Sequence, residues 1–344
     1  MSKFFKAASV ALTLGSVLAP AAMVVAQESD DFSAVIVTDV GGVDDKSFNQ
    51  SAWEGLQAWG EEAGKEKGAK GYDYIQSDSD SDYITNLNTA IQSGFDLTFG
   101  IGFKLEEAIN QIAQQNPDSH FAIVDSFVDQ PNVASYNFKD HEASFLAGVA
   151  AAMTTKTNKV GFVGGVEGVI IDRFEAGFVA GVKAVNPDIE VSVEYAGSFA
   201  DAPKGKQIAA AMFKNGADVI FHASGDTGNG VFSEAKDLVK NDPSQEIWVI
   251  GVDRDQDAEG VIEIDGEERH LTLTSTLKGV GEAVKLATEQ AAKGEFKAGN
   301  NVLGLKEDGV GLTDGQLSDE IKEKVAEYKD QIINGDIEVP EKPE

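Results

Sequence analysis

The sequence predicts an α/β protein built as two doubly wound, parallel-sheet lobes. Three observations predict it. Apolar runs of strand length alternate with segments of helical period from residue 32 onward, the mark of parallel sheets covered by helices on both faces. The alternation runs through once and starts again near residue 141, which implies two similar lobes. The chain has 344 residues, more than a single core usually holds.

In the first series, residues 33–38 read as a buried strand and 46–67 as an amphipathic helix. Strand 72–76 follows, then the polar loop Ser77-Asp78-Ser79-Asp80-Ser81-Asp82. Helix 83–92 carries Ile84, Leu87 and Ile91 at helical spacing. Strand 96–101, helix 104–115, strand 120–124 and a short strand 133–136 complete the series. The second series opens with a helix rich in small residues, 141–153. Strand 159–163, helix 170–185, strand 190–195, helix 202–214, strand 218–222, helix 229–240 and strand 247–252 follow. Residues 254–269 read as loop, 270–275 as the last strand, and 280–293 and 317–333 as closing helices. The acidic, proline-containing tail after Gly335 is expected to fray.

Composition narrows the function classes. Hydrophobic residues make up 42% and charged residues 25%, an ordinary globular balance. The formal net charge of −30 argues against nucleic acid as a partner, because phosphate binding needs a basic patch. There is no cysteine, so disulfides and thiol chemistry are excluded, and with four histidines a structural zinc site is not expected. At the N-terminus, Lys3 and Lys6 precede an apolar stretch over 7–18. Pro20 interrupts it, and Val24-Val25-Ala26 offers small residues for cleavage before Gln27. That pattern predicts a signal peptide over 1–26 and a mature protein outside the cytoplasm.

Doubly wound sheets bind ligands beyond the carboxyl ends of their strands, so candidates are sought there. Strand 33–38 leads into Asp39 and then Lys46-Ser47-Phe48-Asn49, where a loop becomes a helix. Later strands lead into Gly100-Ile101-Gly102-Phe103, Asp125-Ser126-Phe127, Ser224-Gly225-Asp226 and Asp253-Arg254-Asp255-Gln256. Arg173-Phe174 follows Gly164–Glu167, and Lys278 follows the last strand. Carboxylates accept from hydroxyls and aromatic rings sandwich a flat ring, so the inventory suits a neutral ligand with a ring and a polyol. Each residue also has a plainer reading: an Asp as helix cap, Phe48 and Phe174 as core, Lys278 and Asn49 as solvated surface.

Other motifs fail on spacing. Gly225-Asp226-Thr227-Gly228-Asn229-Gly230 spaces its glycines G-x-x-G-x-G, and Leu105 stands where a fingerprint opening at Gly100 needs glycine. The Asp78-Asp80-Asp82 run has Tyr83 at the calcium loop's glycine position and Thr89 at its glutamate position. No phosphate loop, nucleophile elbow or histidine metal spacing is present.

The segment from Val37-Thr38-Asp39 through Asp44-Asp45-Lys46-Ser47-Phe48-Asn49-Gln50 to Trp53-Glu54-Gly55 resembles the basic membrane protein (Bmp) family. These are the purine-nucleoside-receptor-A-like substrate-binding proteins of ABC transporters. Ser144-Phe145-Leu146-Ala147-Gly148, Phe174-Glu175-Ala176-Gly177-Phe178, Gly225 to Gly230 and Ile250-Gly251-Val252-Asp253-Arg254-Asp255-Gln256 extend the resemblance over about 32–333. It implies a type I periplasmic-binding-protein fold with three crossovers, expected near 136–140, 253–256 and 275–278. Lobe one is then expected at 32–137 plus 254–276, lobe two at 138–253 plus 277–334, and the tail at 335–344.

The resemblance further implies a nucleoside ligand, a purine nucleoside by expectation, with contacts from Asp39, Phe48, Asn49, Asp125, Phe174, Gly225, Asp253 and Lys278. Phe48 and Phe174 would stack on the base, Asn49 would bond near its edge, and Asp253 would accept from ribose hydroxyls. An ABC permease is the implied partner of a monomeric receptor that needs no cofactor or metal and catalyses nothing. Many family members carry a lipidated N-terminal cysteine; this chain has none, so an anchor of that kind is not expected. Rival readings are a receptor for another nucleoside or a sugar-like ligand, a nucleoside hydrolase using the Asp cluster, or a ligand-sensing input to a signalling partner.

Overall fold

The computed structural model describes residues 31–343, so the expected leader over 1–26 lies outside the described residues. Strand β1 (Ala34–Val37) is buried throughout, as expected when a sheet is covered on both faces. It pairs in parallel with β2 (Tyr72–Ile75) and β3 (Leu97–Ile101), and Val37 stands opposite Gly100. Strands β4 (His120–Val124), β5 (Val133–Phe138) and β13 (Gly299–Leu303) extend this first sheet in the order β13-β5-β4-β3-β1-β2. The second sheet has the order β14-β12-β9-β8-β6-β7. Its strands are β6 (Lys159–Gly164), β7 (Glu190–Tyr195), β8 (Val219–Ala223), β9 (Trp248–Gly251), β12 (Thr272–Lys278) and the antiparallel edge β14 (Val310–Leu312). A separate hairpin joins β10 (Val261–Ile264) to β11 (Glu267–His270).

Helices cover both sheets. On the first, α1 (Phe48–Glu62) and α8 (Val280–Ala292) share one core with the sheet, while α2 (Tyr83–Gln92) and α3 (Glu106–Gln115) pack on the opposite face. On the second, α4 (Asp140–Thr154) and α5 (Val169–Val185) cover one face, and α6 (Ala202–Lys214) and α7 (Thr227–Asn241) the other. The small residues noted in the α4 sequence let two helix backbones meet. A Cβ at Gly181 of α5 would stand 2.0 Å from the Phe145 carbonyl oxygen, so only glycine fits. Helix α9 (Asp319–Asn334) starts at Ser318, whose hydroxyl accepts from the Ile321 amide, and stops at Gly335 in the left-handed region.

The chain passes between the sheets three times: between β5 and α4, between β12 and α8, and between β13 and β14. The first passage falls where 136–140 was expected and the second adjoins 275–278. Residues 253–256 do not cross, because β9 and β12 are neighbours in the same sheet. The assignment of 254–276 to lobe one is therefore corrected: β12 pairs with β9, and this stretch goes with the second sheet. Within 277–334, α8 and β13 go with the first sheet instead, since β13 pairs with β5 over Gly299 to Leu303. The tail is a further correction. Val339 is buried, Ile337 packs on the core, and Glu341 pairs with Arg173 at 3.0 Å.

Candidate functional site

One cavity gathers the strand ends of both sheets. All eight residues expected from the sequence line it. Asp39, Phe48, Asn49 and Asp125 come from the first sheet and its α1 loop; Phe174, Gly225, Asp253 and Lys278 come from elements of the second. Asp125 follows β4 and Asp253 follows β9, the fourth strand of each series, and both backbones are left-handed, at φ 66° and 67°. Aspartate tolerates that region better than most residues, because its short polar side chain can bond locally. Gly225, at φ 56°, occupies the same region without a side chain.

The loop before α1 is ordered by its own carboxylates. Asp45 accepts from the amides of Ser47 at 2.8 Å, Asn49 at 2.9 Å and Gln50 at 3.1 Å, satisfying donors at the helix start. The Asn49 side-chain amide donates to Asp39 at 2.7 Å and to Asp45 at 3.0 Å. Both of its donors are thereby occupied, and its buried carbonyl oxygen has no partner. Asp39 also accepts from the Gly41 amide at 3.0 Å. Burial pushes its carboxyl up to about 6, with those two hydrogen bonds opposing.

Lys278 is not a solvated charge: it is 5% exposed. Its ammonium lies 2.5 Å from Asp125 and 3.1 Å from Asp140. The rings of Phe48, Phe138 and Phe174 stand 5.2, 5.3 and 5.5 Å from it. Burial disfavours the ammonium, but Asp125, Asp140 and Asp253 outweigh it and hold the group above the ordinary lysine range. Burial likewise drives Asp253 up to about 6 and Asp140 up to about 7, with Lys278 opposing in both. Phe174 is buried and packs on Phe221 at 6.3 Å, so it serves the core and the cavity wall together.

Several residues in and around the cavity lie outside the eight expected contacts. Ser47 donates its hydroxyl to Asp253, joining the α1 loop to the second sheet. The Gln256 amide donates to the Lys46 carbonyl at 2.9 Å, and Asn229 to the Asp45 carbonyl at 3.4 Å. Gln256 Oε1 accepts from the Val252 amide at 2.8 Å and faces His222 Nε2 at 3.0 Å, so His222 carries its hydrogen on Nε2. Burial lowers His222 to about 4 and keeps it neutral. Phe103 and Phe199 meet edge to face at 6.3 Å across the cavity wall. Phe199 follows β7, and the strand-end rule applied to 190–195 finds it. Asp140 carries no such signal, because it reads as an ordinary acid in a helix's first turn.

Two doubly wound sheets whose strand ends face one buried, carboxylate- and aromatic-lined cavity are the architecture of a type I periplasmic binding protein. A crystal structure of ABC transporter system solute-binding proteins from Aeropyrum pernix K1 superposes with a TM-score of 0.78 at 29% identity, covering 90% of this chain and 94% of that one. The family model for ABC transporter substrate-binding protein PnrA-like (Bmp) matches residues 32–343, and the chain belongs to that family. It is 50% identical over 340 residues to the ABC transporter nucleoside-binding protein BmpA of Lactococcus lactis subsp. cremoris, covering 97% of this chain and 96% of the relative. It is 56% identical over 322 residues to a CD4+ T-cell-stimulating antigen of Listeria monocytogenes, covering 92% and 90%. Among the described residues, no helix is long and apolar enough to cross a membrane.

Proposed function

We propose that the protein is an extracytoplasmic receptor that delivers nucleosides, purine nucleosides above all, to an ABC importer. The observation that carries this reading is the meeting of Phe48 and Phe174, from helices on different sheets, around one cavity that is also lined by Asp39, Asn49, Asp125 and Asp253. Aromatic faces bind a base; carboxylates bind the hydroxyls of a ribose. The name of the Lactococcus relative supports a nucleoside.

In this reading the ligand first meets one lobe. The second lobe then completes the sandwich, and the Ser47–Asp253, Gln256–Lys46 and Asn229–Asp45 bonds hold the closed form that the permease recognises. The receptor acts as a monomer, makes and breaks no bond, and binds no nucleic acid, in keeping with its charge of −30. Calorimetry with inosine, guanosine, adenosine, cytidine and arabinose tests the ligand class: tight binding of the purine nucleosides is expected. Incubation with inosine should leave it intact, and release of hypoxanthine would replace the receptor reading with a hydrolase.

A further inference from the structure

Asp140 opens α4 and is 1% exposed. One of its carboxylate oxygens stands 3.1 Å from the Lys278 ammonium, and neither has another partner among the described residues. Unlike Asp125, Asp253 and Lys278, Asp140 does not line the cavity. It therefore sits behind the wall, and a ligand in the cavity does not touch it.

A lysine ammonium is a point charge on a flexible four-carbon stem. Inside a protein it must be paired, and a single carboxylate neutralises it without fixing its direction. Here Asp125 holds it at 2.5 Å from the cavity side, Asp140 holds it from behind, and the rings of Phe48, Phe138 and Phe174 surround it. We infer that Asp140 is a positioning residue, which with Asp125 pins the Lys278 ammonium so that a remaining N–H stays directed into the cavity. As a determinant of affinity, this role rests on the nucleoside-receptor reading. The pinning of Lys278 itself does not.

The charged and titratable groups facing Asp140 are Lys278 from β12, Asp125 after β4 and Asp253 after β9, with His141 and Glu142 next to it on α4. An ordinary helix-start acid would stabilise α4 through the helix dipole and leave Lys278 alone. Asp140→Asn, which keeps the shape and removes the charge, separates the two roles. Three quantities are measured: the side-chain ammonium resonance of Lys278 in ¹⁵N-lysine-labelled protein without ligand, the Kd for inosine, and the Tm. The expected result is a protected Lys278 signal in the wild type that broadens through exchange with water in D140N, together with a roughly tenfold weaker Kd.

An unchanged signal with a Kd within about twofold of wild type overturns the inference, whatever happens to the Tm. The wild type supplies a test of its own should D140N not fold. Burial raises the Asp140 carboxyl above the ordinary carboxylate range, with Lys278 opposing, so lowering the pH from about 8 towards the ordinary Asp value of about 4 should protonate Asp140 and move the Lys278 signal. A signal flat over that whole span overturns the inference. If the wild type binds no nucleoside, the proposed function fails while the resonance still decides what Asp140 does.

Discussion

Phe48 and Phe174 both line the cavity, but they are not equivalent probes. Phe174 is 4% exposed and packs on Phe221, so its truncation would open the core at about 3–5 kcal/mol and confuse binding with folding. Phe48 is only half-buried at the start of α1. Phe48→Ala is expected to leave the protein folded and to raise the Kd for inosine about ten- to hundredfold, the worth of one base–aromatic stack at about 1–3 kcal/mol. Calorimetry reads this directly, and wild-type affinity would remove Phe48 from the site. Seven of the eight expected residues were legible because each stands at or just beyond a strand end, or at a helix start beside one; Phe174, in the second turn of α5, was picked out by the resemblance. Asp45 caps α1, accepting from amides two to five residues further on. Asp140 was not legible, since burial and a lysine partner more than a hundred residues away leave no local trace.

Elements were legible where both faces of a strand are buried, as in β1, β3 and β8, because such strands read as continuous apolar runs. The edge strands β13 and β14 were not. Asn300 and Asn301 face solvent, and β13 becomes a strand only by pairing with β5. The hairpin β10–β11 did carry a signal, Asp265-Gly266 between flanking strands, and both residues adopt positive φ as a two-residue turn of that type requires. The tail misled by composition. Its acids and prolines resemble a fraying end, but every second or third residue is apolar, and Ile337 and Val339 pack inward. Removing 336–344 is expected to cost about 2–3 kcal/mol, chiefly through Val339 and Ile337, and to lower the Tm by several degrees. Glu341→Gln, which breaks only the partly exposed pair with Arg173, should cost no more than about 1 kcal/mol. Thermal unfolding compares the two. Equal losses would mean that the ion pair, rather than the apolar residues, ties the tail down.

At the scale of the whole molecule, the closed cavity concentrates carboxylates in a place that disfavours their charge. Burial is the leading cause that raises Asp39 to about 6, Asp253 to about 6 and Asp140 to about 7, and it raises Asp45 as well. In the unfolded chain an Asp titrates near about 3.9. Between those values the folded state binds more protons than the unfolded one, so stability must fall as pH rises through the window from about 4 to 7. Ligand-free protein is therefore expected to melt at a higher temperature at pH 5 than at pH 8. The overall charge of −30 pushes the same way, because deprotonation adds to self-repulsion. Salt separates the two contributions. At 1 M ionic strength the Debye length is about 3 Å, which screens the surface but leaves buried groups largely untouched. A slope of Tm against pH that survives high salt and flattens in Asp140→Asn or Asp253→Asn belongs to the cavity. A slope that vanishes with salt belongs to the surface, and a Tm that rises with pH would mean the cavity stabilises its carboxylates as anions. Holding acids that are costly to ionise until a ligand supplies hydroxyl donors would tie affinity to pH through the groups that make the site, with binding weakening as Asp253 takes up a proton below about 6.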